Sequence, residues 1–296
     1  MIKVFRFLAI CTIGVAFASS IARAQSFKQV DVPFAGAILT ELAGGPNPQG
    51  TSVGIWEDSG FVVHGFTLTA KGVFTSFDAP GSIFTELSFI SPTGVIVGLD
   101  LDSTSVSHGF ILNGGKYTTV DVPGAAGTAL SGISPSGEIS GFTCTDSACG
   151  NTGLANIEHS FVRSKEGVFT IFDPPGAISS NASTVNPSGE VVGAYTDNAG
   201  NGHGYLFSHG TFTTVDFPGA IFTFIGGGNP EGDVAGEYLD AAGVGHAFLL
   251  SKGVFTSFDP PGTVFFSGGF GINPAGVIVG AFEDSSRAIH GYVRTP

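Results

Sequence analysis

The stretch that decides the fold is Gly193–Asp216, G-A-Y-T-D-N-A-G-N-G-H-G-Y-L-F-S-H-G-T-F-T-T-V-D. Variants of it recur along the chain. The unit reads D-x-P-G-A-(I/V)-x-T, a short apolar run, N-P-x-G-x-(I/V)-V-G-x-Y-x-D, five residues, H-G-F-L, a turn, then G-x-F-T-T-F and the next Asp. The opening acids are Asp31, Asp78, Asp121, Asp173, Asp216 and Asp259, spaced by 47, 43, 52, 43 and 43 residues. Self-similarity at such a period marks a repeat architecture.

Each unit contains four short runs. Examples in and around the quoted region are Ala220–Phe224, Val191–Tyr195, His203–Phe207 and Gly210–Val215. They are rich in β-branched and aromatic residues and bounded by Gly, Pro, Asn or Asp, which is strand-and-turn chemistry. Four strands per repeat predict an all-β fold, a six-bladed β-propeller of four-stranded blades. The ends of the chain complement each other. Ser26–Val30 matches the fourth strand of the unit, and the sixth unit stops after its third, at His290–Arg294. The N-terminal strand is therefore expected to complete the last blade and close the ring, which protects sheet edges. An open β-solenoid is the competing architecture, but it has no need for complementary ends.

Residues 1–24 read as a secretory signal peptide. Lys3 and Arg6 precede an apolar run from Leu8 to Phe17, and Ala22-Arg23-Ala24 is an A-x-A cleavage site. The mature chain, 25–296, is then one six-repeat domain in an extracellular or periplasmic protein, expected to be monomeric. No other stretch is apolar enough to span a membrane. Removing the signal leaves eight basic against 24 acidic residues, a net charge of −16. So acidic a surface repels phosphate and argues against nucleic acid as a partner.

The histidines occupy one slot: His64, His108, His159, His203, His246 and His290, with only His209 outside it. The resulting triplets, His64-Gly65-Phe66, His108-Gly109-Phe110, His159-Ser160-Phe161, His203-Gly204-Tyr205, His246-Ala247-Phe248 and His290-Gly291-Tyr292, resemble the HAF family of extracellular repeats over about residues 26–294. That resemblance implies an exported bacterial repeat protein and carries over no catalytic residue. In five units an Asp lies six positions before the histidine: Asp58/His64, Asp102/His108, Asp197/His203, Asp240/His246 and Asp284/His290. The pairs read as scaffold, a carboxylate accepting from the imidazole across a hairpin. A metal or proton-relay site is the sharper alternative, but six copies spread round a ring do not converge on one ion.

Unit three departs from the pattern. It is the longest, and it holds Cys144 and Cys149, the only cysteines after the signal, in an extended second-to-third connection. In an exported protein such a pair reads as a disulfide.

Two sets of residues are candidates for function. Glu41, Glu86 and Asn181 follow the repeated Thr of the innermost strand, where the other units have Ala129, Phe224 and Ser267. Two carboxylates and an amide suit Ca²⁺, which takes oxygen ligands. The second set is an acidic loop face on which Glu57, Asp100, Glu237 and Glu283 accompany the repeated Asp residues. No nucleophilic triad, phosphate loop or metalloprotease motif is present. The sequence therefore points to a secreted, non-enzymatic binding or scaffold protein, with an extracellular protein or carbohydrate as the ligand class. The alternative is a propeller-type hydrolase or lyase using a cation near Glu41, Glu86 and Asn181.

Overall fold

The computed structural model describes residues 25–149, 157–186 and 188–296. The expected signal peptide, and residues 150–156 of the unit-three connection, lie outside the described residues. Among the described residues there are 24 strands, numbered β1 to β24 in chain order, and no helix. No helix is therefore long and apolar enough to cross a membrane.

The strands pair as six antiparallel units of four. Five units are consecutive in sequence, beginning at β2 (Ala37–Gly44), β6 (Phe84–Ile90), β10 (Gly127–Ile133), β14 (Ala177–Val185) and β18 (Phe222–Gly228). The sixth begins at β22 (Phe266–Ile272), runs to β24 (Ile289–Thr295), and takes β1 (Ser26–Val30) as its fourth strand. The β1–β24 ladder runs from Ser26↔Thr295 to Val30↔Gly291. Each first strand packs beside the first strands of the units before and after it, and the circuit returns from β22 to β2.

The repeat's small residues are explained by how units stack. The aromatic of each histidine triplet, Phe66, Phe110, Phe161, Tyr205, Phe248 and Tyr292, is wholly buried. The small residue before it faces the next unit's first strand: a Cβ at Gly65 would lie 2.6 Å from Leu87 Cγ, and one at Gly109 2.8 Å from Leu130 Cγ. The glycine of each (I/V)-V-G run has a different duty. A Cβ at Gly54, Gly98, Gly141, Gly193, Gly236 or Gly280 would run into the carbonyl of the facing first-strand residue, such as Glu41 or Glu86. The first strands can therefore bulge at this level, as at Leu42/Gly44 and Leu87/Phe89, only because their neighbours lack side chains there.

The turns share one device. Asn47 Oδ1 accepts from the amides of Gln49 and Thr51, and Asn273 Oδ1 from Ala275 and Val277. Asp58 Oδ1 does the same for Gly60 and Val62 at the other end of the strand. These are Asx turns, in which a short side chain replaces a backbone acceptor. Asn side chains also bridge units: Asn229 Nδ2 donates to Asn273 O at 3.2 Å, and Asn273 Nδ2 to Pro46 O at 3.4 Å. In unit three Cys144 and Cys149 form a disulfide.

Candidate functional site

Five of the repeat histidines stand between two acids, and the stronger partner is not the one the spacing suggested. Nδ1 bonds the acid that opens the next unit: His64 with Asp78 at 2.7 Å, His108 with Asp121 at 2.9 Å, His159 with Asp173 at 2.8 Å, His203 with Asp216 at 3.0 Å and His246 with Asp259 at 3.0 Å. The sixth, His290, bonds Asp31 at 2.6 Å. The hairpin acids Asp58, Asp102, Asp197, Asp240 and Asp284 lie farther away, 3.4 to 3.6 Å from Nε2. Their first task is to cap their own turn. Backbone and side-chain donors there hold Asp102, Asp197 and Asp284 down to about 2. For His108, His203, His246 and His290, burial opposes the charge, but the bond and field of the linking acid outweigh it and raise the imidazole above its ordinary value. The links themselves are held by the repeated hydroxyl, as Thr40 Oγ1 accepts from Val32 N and Thr85 Oγ1 from Ala79 N.

The repeat-breaking polar residues meet in the centre of the molecule. Glu41, Glu86 and Asn181 line one cavity of about 280 Å³ between the first strands, with Phe142, Phe224 and Phe270 supplying aromatic walls and Ser88, Ser131 and Ser183 hydroxyls. The ladder corrects one sequence alignment. Ser267 pairs with Phe282, as Thr40 pairs with Trp56, and donates to Asp259 Oδ1 at 2.6 Å, so it holds the threonine slot. The link after Asp259 is one residue longer than most, and Gly268, not Ser267, matches Glu41.

Glu41 has no hydrogen-bond or ion-pair partner among the described residues. Burial, with Glu86 and Glu237 nearby, pushes its carboxyl up to about 8. Glu86 accepts from Ser88 Oγ at 3.0 Å, yet burial still raises it. Asn181 is engaged: its Nδ2 donates to Glu158 Oε2 at 3.1 Å. Burial raises Glu158 as well. Glu158 escaped the sequence reading, although it is the one acid that directly precedes a repeat histidine.

Of the four carboxylates expected on one loop face, Asp100 points to the opposite side from the other three. Counted back from the hairpin Asp, Glu57 and Glu283 stand at one residue, Asp100 at two and Glu237 at three, and alternate strand residues point to opposite sides. Asp100 is 4% exposed and accepts from Tyr117 OH at 2.6 Å. Burial raises Asp100, and burial with the Asp100 bond lifts the phenol to about 12. Glu237 pairs with Phe224, a cavity residue, and burial pushes it up to about 7. Glu283 accepts from Arg287 at 3.0 Å. Among the described residues, no group of three or more His, Cys, Asp or Glu side chains is arranged to hold a metal ion.

At the far end of the same strands a second cavity, about 100 Å³, is ringed by the turn prolines Pro48, Pro92, Pro135, Pro230 and Pro274. The two mouths thus differ in kind, one carboxyl-bearing and one apolar.

No family model matches the chain, and no curated protein matches its sequence. Solved structures do. A fungal lectin of Aleuria aurantia, described as having a six-bladed β-propeller fold and a novel fucose recognition mode, aligns over 88% of this chain and 92% of its own at a TM-score of 0.54 and 13% identity. AofleA from Arthrobotrys oligospora aligns over 91% of this chain and 86% of its own, at 0.58 and 12%. A putative TolB from Agrobacterium tumefaciens aligns over 86% and 90%, at 0.58 and 15%. The chain has a β-propeller fold. At these identities the likeness is one of fold, so the site of this propeller has to be argued from its own residues.

Proposed function

We propose that the protein is an exported, monomeric, six-bladed β-propeller that works as a binding module, with β1 completing the last blade and the central cavity receiving the ligand. One observation carries this reading. The residues that break the repeat, Glu41, Glu86 and Asn181, come from three different units and line a single cavity. Scaffold positions repeat from unit to unit, whereas these differ and converge. A concave site mixing aromatic walls with a few polar groups is the usual form of a ligand pocket. The lectin neighbours, one of them in complex with α-methyl-L-fucoside, support a binding role for this fold, and a saccharide suits the phenylalanine, serine and carboxyl lining.

The second reading is a hydrolase in which Glu41, kept protonated by burial, serves as the acid and Glu86 as the base. A cation at Glu41, Glu86 and Asn181 would have to take the Asn181 Oδ1, because Nδ2 donates to Glu158. Thermal-shift screening against neutral sugars, short peptides and CaCl₂, repeated with Glu41→Gln/Glu86→Gln, tests the binding role. A ligand whose shift disappears in the double variant supports it. Shifts that persist unchanged in that variant, or turnover of a ligand that depends on both carboxyls, speak against it.

A further inference from the structure

A repeated feature of the hairpin end of the fold has no role in the scaffold. The residue that follows the P-G-A turn is an exposed β-branched hydrocarbon in five units: Ile38, Ile83, Ile178, Ile221 and Val264, each 44 to 56% exposed. Their backbones are anchored. Ile83, Ile221 and Val264 donate to the carbonyls of Leu101, Leu239 and Glu283 at the end of the second strand. Each stands at the entrance to its first strand, and Glu41, Glu86, Asn181 and Phe224 follow three residues later. These five residues, the collar, thus mark the entrances of first strands whose later residues line the carboxyl-bearing cavity. Five solvated Ile or Val side chains in one repeated slot form a pattern, unlike scattered surface apolar residues.

The hairpin of unit one adds an aromatic to the same end. Phe61 is 77% exposed and has φ 62°. The same turn position holds Ser105, Gly200, Gly243 and Arg287 in units two, four, five and six, at φ 63°, 85°, 80° and 70°. A bulky side chain in the left-handed region is an outlier, and neither burial nor packing accounts for this one.

Acids predominate at this end, where Arg287 is paired with Glu283 and the raised imidazoles with the link acids. Asp102, Asp197 and Asp284 remain ionised down to about pH 2. The cavity lining carries two glutamates and no Lys, Arg or His. Its three phenylalanines offer ring faces, which attract cations.

We infer that the hairpin face is a docking surface for a basic, apolar-flanked segment of another protein, one lysine or arginine entering the cavity toward Glu41 and Glu86 while its neighbours pack on the Ile/Val collar. The inference rests on the binding role of the cavity and names its partner. The extent of the collar favours a polypeptide over a small amine: about 280 Å³ takes one long side chain, and five collar positions plus Phe61 lie outside it. Lys and Arg suit the entrance because their stems are apolar and only their heads are charged.

The probe is a fluorescent ten-residue peptide alternating lysine and leucine, with its glutamate–leucine counterpart as control, read by anisotropy at low and high salt. The lysine peptide is expected to bind, to weaken with salt, and to weaken about tenfold or more in Glu41→Gln/Glu86→Gln and again in Ile83→Ser/Ile221→Ser. Both variants alter side chains that make no scaffold hydrogen bond with a neighbouring unit, and their melting temperatures report whether the fold survives. Equal binding of both peptides, or affinity unchanged in both variants, overturns the proposal. So does full competition by butylamine at its own affinity, which would mark a small-amine site. If a neutral sugar binds in a Glu41- and Glu86-dependent way while the lysine peptide does not, the partner is wrong and the cavity's binding role stands.

Discussion

His290 Nδ1 and Asp31 Oδ1 lie 2.6 Å apart, although 259 residues separate them in sequence. Gln29 Nε2 braces the pair, 2.7 Å from Asp31 Oδ2 and 3.0 Å from His290 Nδ1. The contact that joins neighbouring units elsewhere is used here to join the two ends of the chain. Asp31→Asn should therefore cost about 1 kcal/mol, the modest value of a half-exposed ion pair. Asp216→Asn should cost about the same, but only the Asp31 change should speed hydrogen exchange in β1 and β24. Equal exchange in the two variants would show that the pair does not hold the closing strand.

Deleting residues 25–31 is a stronger test of closure. It strips β24 of its partner and exposes an edge along Ile289–Thr295. Loss of a single cooperative urea transition, or aggregation, is expected. A truncated protein that melts like the parent would refute the closure.

The repeat histidines and the hairpin carboxylates predict opposite pH trends at the two ends of the range. A raised imidazole stabilises the fold fully below its unfolded value near 6.5, and that contribution is lost as pH rises through the higher folded value. Lowered hairpin carboxylates act at the acid end. Their stabilisation is complete above about 4 and disappears as pH falls toward 2. His203→Gln should flatten the alkaline decline and leave the acid limb in place, as read by urea midpoints across pH.

Glu41 works against the fold as it ionises. Its folded value is about 8 against an ordinary 4.5, so the folded state holds its proton longer and stability falls as pH rises between those values. Glu41→Gln should be more stable than the parent at pH 8 and similar at pH 4. A variant less stable at both would mean that the carboxyl has a structural partner.

Gly98→Ala tests why the second strand needs glycine. A methyl there meets the Glu86 carbonyl and, at 2.9 Å, the Phe110 ring. Backbone cannot yield as a flexible side chain can, so a loss of about 2–3 kcal/mol is expected in urea melts. Gly94→Ala is the control, since open space surrounds that position and only its φ of 86° is strained.

The repeat, its four strands and the complementary ends were legible because turn chemistry and strand periodicity are written locally. Which acid holds each histidine was not. Asp58 is six residues from His64 and Asp78 fourteen, and sequence distance favours the nearer, whereas sheet geometry commits the nearer carboxylate to its own turn amides. Asp100 left the loop-face set for a related reason. It looks equivalent to Glu57 and Glu283 near a hairpin, but its one-residue offset turns the side chain to the opposite side, where it is buried. Glu158 was hidden because its partner, Asn181, comes from the following unit.

The closing ladder also sets how the protein yields to a pull on its two ends. Ser26 and Thr295 sit opposite each other at one end of the β1–β24 ladder, and Val30 and Gly291 at the other. A load applied through the termini therefore falls on the Ser26–Thr295 pair first and passes inward one rung at a time, as a zip opens. Shear, which would load all five rungs together, does not arise in this geometry. The seam that holds against heat and denaturant as part of a whole is thus the first to part under tension, while the five units between it stay folded.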